Sequence, residues 1–185
     1  MEPEVVVLLS GGVDSTACIH FYTELKRPTE GLFIDYGQPA AIPELRAAKK
    51  VVEYYSIPLR TLVLQGVKSK KSGMITGRNA FLVTVAFLES AETTRVIASG
   101  IHAGTEYPDC SKLFVERMQA IIDIYREKNL QIAAPFITWS KAEIYEYCKE
   151  SQIPIELTYS CENGGASPCG KCLSCKDRQV FYAGA

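Results

Sequence analysis

The chain has 185 residues, 47% apolar and 22% charged, with a net charge of −1. These values suit one globular domain with a sizeable core, and they exclude a chain that holds nucleic acid or an acidic membrane by bulk charge. Met1 to Glu4 is short and acidic, and no run nears the roughly 20 apolar residues of a spanning helix, so a cytoplasmic protein with no signal peptide and no membrane partner is expected.

Val5 to Leu9 is an apolar, β-branched run that reads as a buried parallel strand. A Ser10-Gly11-Gly12 turn leads to a helix from Val13 to about Lys26, with Val13, Ala17, Phe21 and Leu25 on one face and Pro28 as its stop. Gly31 to Tyr36 is a second strand, Pro43 to Tyr55 a helix, and Leu59 to Leu64 a third strand. Residues 66–77 read as a mobile loop, and Lys68, Lys70 and Lys71 within it as a solvated basic patch. Asn79 to Thr93 is an apolar helix and Arg95 to Ser99 a fourth strand. An amphipathic helix over Lys112 to Lys128 and a short strand over Gln131 to Pro135 follow. Ser140 caps a helix over Lys141 to Glu150, with Glu143 completing a capping box. Trp139 and the methionines read as core, and the remainder as cysteine-rich loop. Alternating strands and helices predict an α/β fold with a doubly wound parallel sheet of about five strands. Ligands bind such sheets at the carboxyl ends of the strands. Loops 10–15, 36–42, 73–79 and 100–110 should then share one rim.

The stretch Leu9-Ser10-Gly11-Gly12-Val13-Asp14-Ser15-Thr16 joins a strand to a helix. Its glycines let backbone approach a phosphate, and the first N–H groups of the helix favour negative charge. Ser10, Ser15 and Thr16 add hydroxyls. A carboxylate repels phosphate, so Asp14 is expected to hold Mg²⁺ or, alternatively, to bond the N–H groups of its own loop. The spacing is neither the Walker type nor G-x-G-x-x-G. It resembles the S-G-G-x-D-S loop of the N-type ATP pyrophosphatases.

Of seven cysteines, Cys18, Cys110 and Cys148 are scattered and read as buried thiols. Cys161, Cys169, Cys172 and Cys175 instead have metal-ligand spacing, with Gly164, Gly165, Pro168 and Gly170 making the turns. Four thiolates form a closed shell, hence a structural site. Zn²⁺ is the expected ion and an iron–sulfur cluster the alternative. Lys171 and Lys176 would offset its negative charge. The chain thus divides into an α/β domain over 1–155 and a metal-binding segment over 156–185.

SGGVDST at 10–16, FIDYGQ at 33–38, GRN at 77–79, YPDC at 107–110, SKAEI at 140–144 and SCENGG…PCGKCLSCKDR from 160 to 178 stand in one chain. Together they resemble the 7-cyano-7-deazaguanine synthase, QueC-like family of N-type ATP pyrophosphatases. The resemblance implies an adenine nucleotide α-hydrolase-like fold. It implies an ATP-dependent ligase that takes 7-carboxy-7-deazaguanine and ammonia, through an amide, to a nitrile, releasing AMP and pyrophosphate. By the same resemblance residues 9–16 and Asp35, Tyr36 and Gln38 bind ATP. Asp14, Lys141 and Arg78 serve catalysis, and Arg78, Asn79, Tyr107 and Asp109 the acceptor pocket. Arg178 either meets phosphate or braces the metal knot. His102 reads as a satisfied loop histidine, with a proton shuttle as the alternative.

The family usually carries a longer insertion at 66–77, and its substrate loop is two residues longer than His102 to Ser111 here. It also has an aspartate before the tyrosine, an arginine where Ser111 stands, and an aromatic residue where Glu162 stands. A second expectation follows: a paralogue, in a setting such as bacterial defence, that stops at an amide with an amine on a protein or other acceptor. A non-catalytic nucleotide-binding module is a third. A chain this short is expected to need a neighbour to close its pocket, as in a homodimer.

Overall fold

A computed structural model describes residues 2–65, 75–105, 107–126 and 129–183, with side chains through Gln179. The basic patch, most of the 66–77 loop and Glu106 lie outside the described residues.

Strand β1, Val5–Leu8, has Val5, Val6 and Val7 wholly buried, so it is covered on both faces. Val5 and Val7 join one apolar cluster with residues of the helices α1 (Val13–Glu24), α2 (Ala41–Tyr55) and α5 (Lys141–Glu150). Val6 joins the opposite cluster with α3 (Arg78–Leu88) and α4 (Lys112–Arg126). The alternation of side chains along a strand assigns one residue to each layer. Around β1 lie β2 (Thr29–Asp35), β3 (Leu59–Val63), β4 (Val96–Ala98) and β5 (Gln131–Ala133). The order is β3-β2-β1-β4-β5, every pairing parallel. The chain leaves β1 toward β2 and later returns on its other side as β4. The crevice above the carboxyl end of β1 is therefore the topological switch point.

Helix α2 begins at Ala41, two residues before the expected Pro43. A proline fits there because the first-turn N–H groups have no partner inside the helix. Helix α3 ends at Leu88, five residues short of Thr93, where the Ser90 hydroxyl donates to the Phe87 carbonyl and competes with the ladder. The largest departure is at the end of the chain. Leu173–Ala183 is a helix, α6, and Ile155–Leu157 a 3-10 turn, where cysteine-rich loop was expected. Helix α4 is described only to Arg126, so its expected end at Lys128 lies outside the described residues. Among the described residues no helix is long and apolar enough to cross a membrane.

The capping box is present: Ser140 Oγ accepts from the Glu143 N–H, and Glu143 Oε2 accepts from the Ser140 N–H. Ser140→Ala is expected to lower stability by about 1 kcal/mol, read as a shift in the denaturant midpoint at unchanged slope.

Candidate functional site

The loop after β1 rests on α2 without side chains between them. Gly11 has φ +76°, and a Cβ there would stand 2.5 Å from the Glu44 carbonyl oxygen and 2.8 Å from the Ala48 nitrogen. Both conditions require glycine. From the other side, the Tyr159 N–H donates to the Gly11 carbonyl at 2.9 Å. The Gly12 N–H faces Ser10 Oγ at 3.4 Å. Ser15 Oγ and Thr16 Oγ1 both donate to the Gly12 carbonyl, at 3.1 and 2.9 Å, and both residues are buried. Their hydroxyls thus shape the loop from behind. Leu9 and Val13 are buried, so their side chains serve the core, leaving only backbone for a ligand.

Asp14 opens α1 and meets Lys141, which opens α5. Lys141 Nζ donates to both carboxylate oxygens, at 2.5 and 2.6 Å. Sequence reasoning did not anticipate this pairing of Asp14 with Lys141. His102 Nε2 is 3.9 Å from Asp14 Oδ2. Its Nδ1 accepts from the Gly104 N–H at 3.0 Å, which places the ring proton on Nε2, facing Asp14. It is the satisfied loop histidine that was expected. Burial lowers its pKa, against the opposing pull of Asp14. Gly100 lets the β4 end come close: a Cβ there would lie 2.6 Å from the Asp14 carbonyl carbon.

The rim around this loop is assembled as expected where it is described. Asp35 Oδ1 accepts from the Gly37 N–H, and Gln38 Oε1 from the Tyr36 N–H. Gln38 Nε2 also donates to Glu44 Oε2, whose pKa burial raises. These residues brace the β2–α2 turn. The Tyr36 ring packs edge-on against Phe81, and burial raises the Tyr36 pKa against the opposing pull of the Arg78 charge. Asn79 and Asp109 form a clamp. The Asn79 N–H donates to Asp109 Oδ2 at 3.2 Å, and Asn79 Nδ2 to the Asp109 carbonyl at 3.0 Å. The Asp109 carboxylate therefore caps the first turn of α3. Tyr107 is half-buried and leads into a 3-10 turn, Pro108–Cys110, and Cys110 lies within 3.6 Å of Asn79 Nδ2.

The ligand atoms of Cys161, Cys169, Cys172 and Cys175 all lie within 4.8 Å of one another. Cys169 Sγ accepts from the N–H groups of Lys171 and Cys172, which hold its pKa down to about 6. Scattered Cys18 and Cys148 are instead buried, and burial pushes the Cys148 thiol up to about 12. Arg178 donates to the carbonyls of Thr158 and Ile155, and so braces the segment leading into the quartet. Glu162 accepts from Ser174 N–H and Oγ, capping the start of α6. Sequence reasoning missed Tyr159, and it named Gly164 only as a turn residue and Glu162 only as a departure from the family. Tyr159 acts through its backbone, which no side-chain pattern reports.

A family model described as queuosine biosynthesis protein QueC matches residues 4–76 and 65–185. A 7-cyano-7-deazaguanine synthase from Gloeothece citriformis is 31% identical, over 99% of this chain and 93% of its own length. Among solved structures, the tRNA thiolase NcsA from Methanococcus maripaludis, with its 4Fe–4S cluster, superposes with a TM-score of 0.54 at 16% identity, covering 98% of this chain and 66% of that one. An NH3-dependent NAD synthetase from Campylobacter jejuni gives 0.51 at 16% identity, covering 85% of this chain and 68% of that one. These two likenesses establish a shared adenine nucleotide α-hydrolase-like fold.

The depressed pKa of His102 has a thermodynamic consequence. Just below pH ~6.5 the unfolded chain binds a proton that the folded chain refuses, so stability falls as pH drops through that range, by up to about 1.4 kcal/mol per pH unit. His102→Asn keeps an acceptor for Gly104 and cannot titrate. It is expected to flatten this part of the stability–pH curve, measured by denaturant melts between pH 5 and 7.

Proposed function

Because the chain belongs to the queuosine biosynthesis protein QueC family, we propose that it is an ATP-dependent carbon–nitrogen ligase converting 7-carboxy-7-deazaguanine to 7-cyano-7-deazaguanine. The observation that carries this reading is the bare-backbone loop at 10–16, with a carboxylate and a lysine at its mouth. A substrate carboxylate oxygen attacks the α-phosphorus of ATP, the α–β bridge breaks, and pyrophosphate leaves. Ammonia then attacks the acyl carbon and AMP departs, leaving an amide. In a second round the amide oxygen is adenylated, and loss of AMP and protons gives the nitrile. The carboxylate oxygen is a poor leaving group and AMP a good one, so the protein need only position reactants and neutralise charge.

The N–H groups of the loop and of the first turn of α1 receive the phosphates. Lys141 can exchange its carboxylate for phosphate, since its side chain is a quarter exposed. Arg78, at the start of α3, supplies the second cation. Mg²⁺ neutralises phosphate charge when bound, and Asp14 is the carboxylate that would hold it beside ATP oxygens. Asn79, Tyr107 and Asp109 frame the acceptor side, with Asp109 acting through the α3 clamp.

Zinc suits the quartet. Zinc–thiolate bonds of about 2.3 Å set ligand sulfurs roughly 3.8 Å apart, and Cys169 and Cys175 lie 3.9 Å apart. A cluster would have to be accommodated between them. The site holds structure, since all four positions are filled by protein.

Mass spectrometry of products from ATP, 7-carboxy-7-deazaguanine and ammonia tests the reaction. A nitrile with AMP and pyrophosphate is expected. An amide that never becomes a nitrile would favour the conjugating paralogue, and no ATP turnover would overturn both. Lys141→Met is expected to lower turnover at least ~100-fold with an unchanged melting curve. Metal analysis is expected to return one zinc per chain and no visible absorption; a brown protein would mean an iron–sulfur cluster.

A further inference from the structure

The metal quartet and the phosphate loop are joined by a single segment, and its geometry bears on how the loop is aimed. A trans peptide points its C=O and N–H in opposite directions. The peptide joining Gly11 to Gly12 turns its carbonyl onto the Tyr159 N–H at 2.9 Å. Its N–H therefore faces the other way, toward Ser10 Oγ and the mouth of the loop. A glycine with φ +76° has no side chain to resist reversal of that peptide. Tyr159 is what fixes it.

Tyr159 is in turn fixed by the quartet. It lies two residues before Cys161, which is 2% exposed. Its hydroxyl donates to the Gly165 carbonyl at 2.8 Å, inside the loop between the first two ligands. Gly164, at φ +70°, presses the same loop onto Pro39, where a Cβ would lie 1.9 Å from the carbonyl oxygen. On the other flank, Arg178 ties α6, which carries Cys175, to Thr158. A closed ring of contacts thus runs from the ligands to Tyr159 to the Gly11 carbonyl.

We propose that Tyr159 is the positioning residue of the phosphate loop, and that through its backbone N–H metal retention and nucleotide binding are reciprocally coupled. This rests on the reading of residues 10–16 as the ATP site. Linkage requires that whatever metal does for nucleotide affinity, nucleotide does for metal affinity. The quartet then does more than hold the C-terminus: losing its ion frees the Gly11–Gly12 peptide and unmakes the phosphate site.

The test follows metal release from the loaded full chain into excess chromogenic chelator, with and without magnesium and a non-hydrolysable ATP analogue. Release is expected to slow about fivefold or more with the analogue. Tyr159→Phe keeps the N–H and should retain this protection. Tyr159→Pro removes the N–H together with the phenol and its Gly165 contact, and Thr158, at φ −86° and ψ 156°, already has the backbone a following proline demands. That variant should hold its metal, bind the analogue at least about tenfold more weakly, and show no protection. Analogue binding seen by calorimetry with an unchanged release rate overturns the coupling alone. Full protection in Tyr159→Pro overturns the role of Tyr159. No analogue binding to the wild-type chain overturns the ATP site and the coupling together. If Tyr159→Pro does not fold, hydrogen exchange at the Tyr159 amide decides. Exchange should accelerate at least about tenfold when metal is removed, and an unchanged rate overturns the proposal.

Discussion

At the carboxyl end of β1 two stretches of backbone lie against each other with no room for a side chain. Gly11 sits between the Glu44 carbonyl of α2 and the Tyr159 N–H, and the approach of α2 depends on the missing Cβ. This contact sets the distance between α2 and the sheet, gives the loop its left-handed turn, and leaves its N–H groups facing the switch-point crevice. The loop hydroxyls then have little freedom. Those of Ser15 and Thr16 are already committed to the Gly12 carbonyl, so the cradle is made of backbone with side chains behind it.

The charges around the cradle come from distant parts of the chain. Asp14, His102 and Lys141 open or follow three different elements, and the sheet order brings them together, since β4 pairs directly with β1. Gly100 and Gly104 allow that approach, the first beneath Asp14 and the second against His102. A second pair of motifs closes the rim. The GRN and YPDC stretches are two halves of one clamp, with Asn79 held by both the carboxylate and the carbonyl of Asp109.

The C-terminal segment is built around its thiols. A helix of 11 residues at the end of a chain forms poorly alone, but α6 begins at a cysteine-bearing turn and receives an acidic cap from Glu162. That gives a physical reason for a glutamate where the family tends to carry an aromatic residue. Arg178 then spends its guanidinium on the Thr158 and Ile155 carbonyls, the bracing alternative of its two expected roles.

What the amino-acid order determined by itself is local. Three consecutive valines buried on both faces, a glycine pair between strand and helix, Ser140 with Glu143 three residues on, and four cysteines at ligand spacing each carry their meaning within about 15 residues. Element type followed from periodicity, while helix ends shifted by a few residues where hydroxyls and prolines compete with the ladder. The tertiary structure alone decided which groups meet. Lys141 lies 127 positions from Asp14, and Tyr159 reaches Gly11 through main-chain atoms that every residue but proline possesses. Helix α6 belongs with these, because its start is capped from outside its own sequence. Such contacts follow from strand order and close packing, and residue spacing carries no record of either.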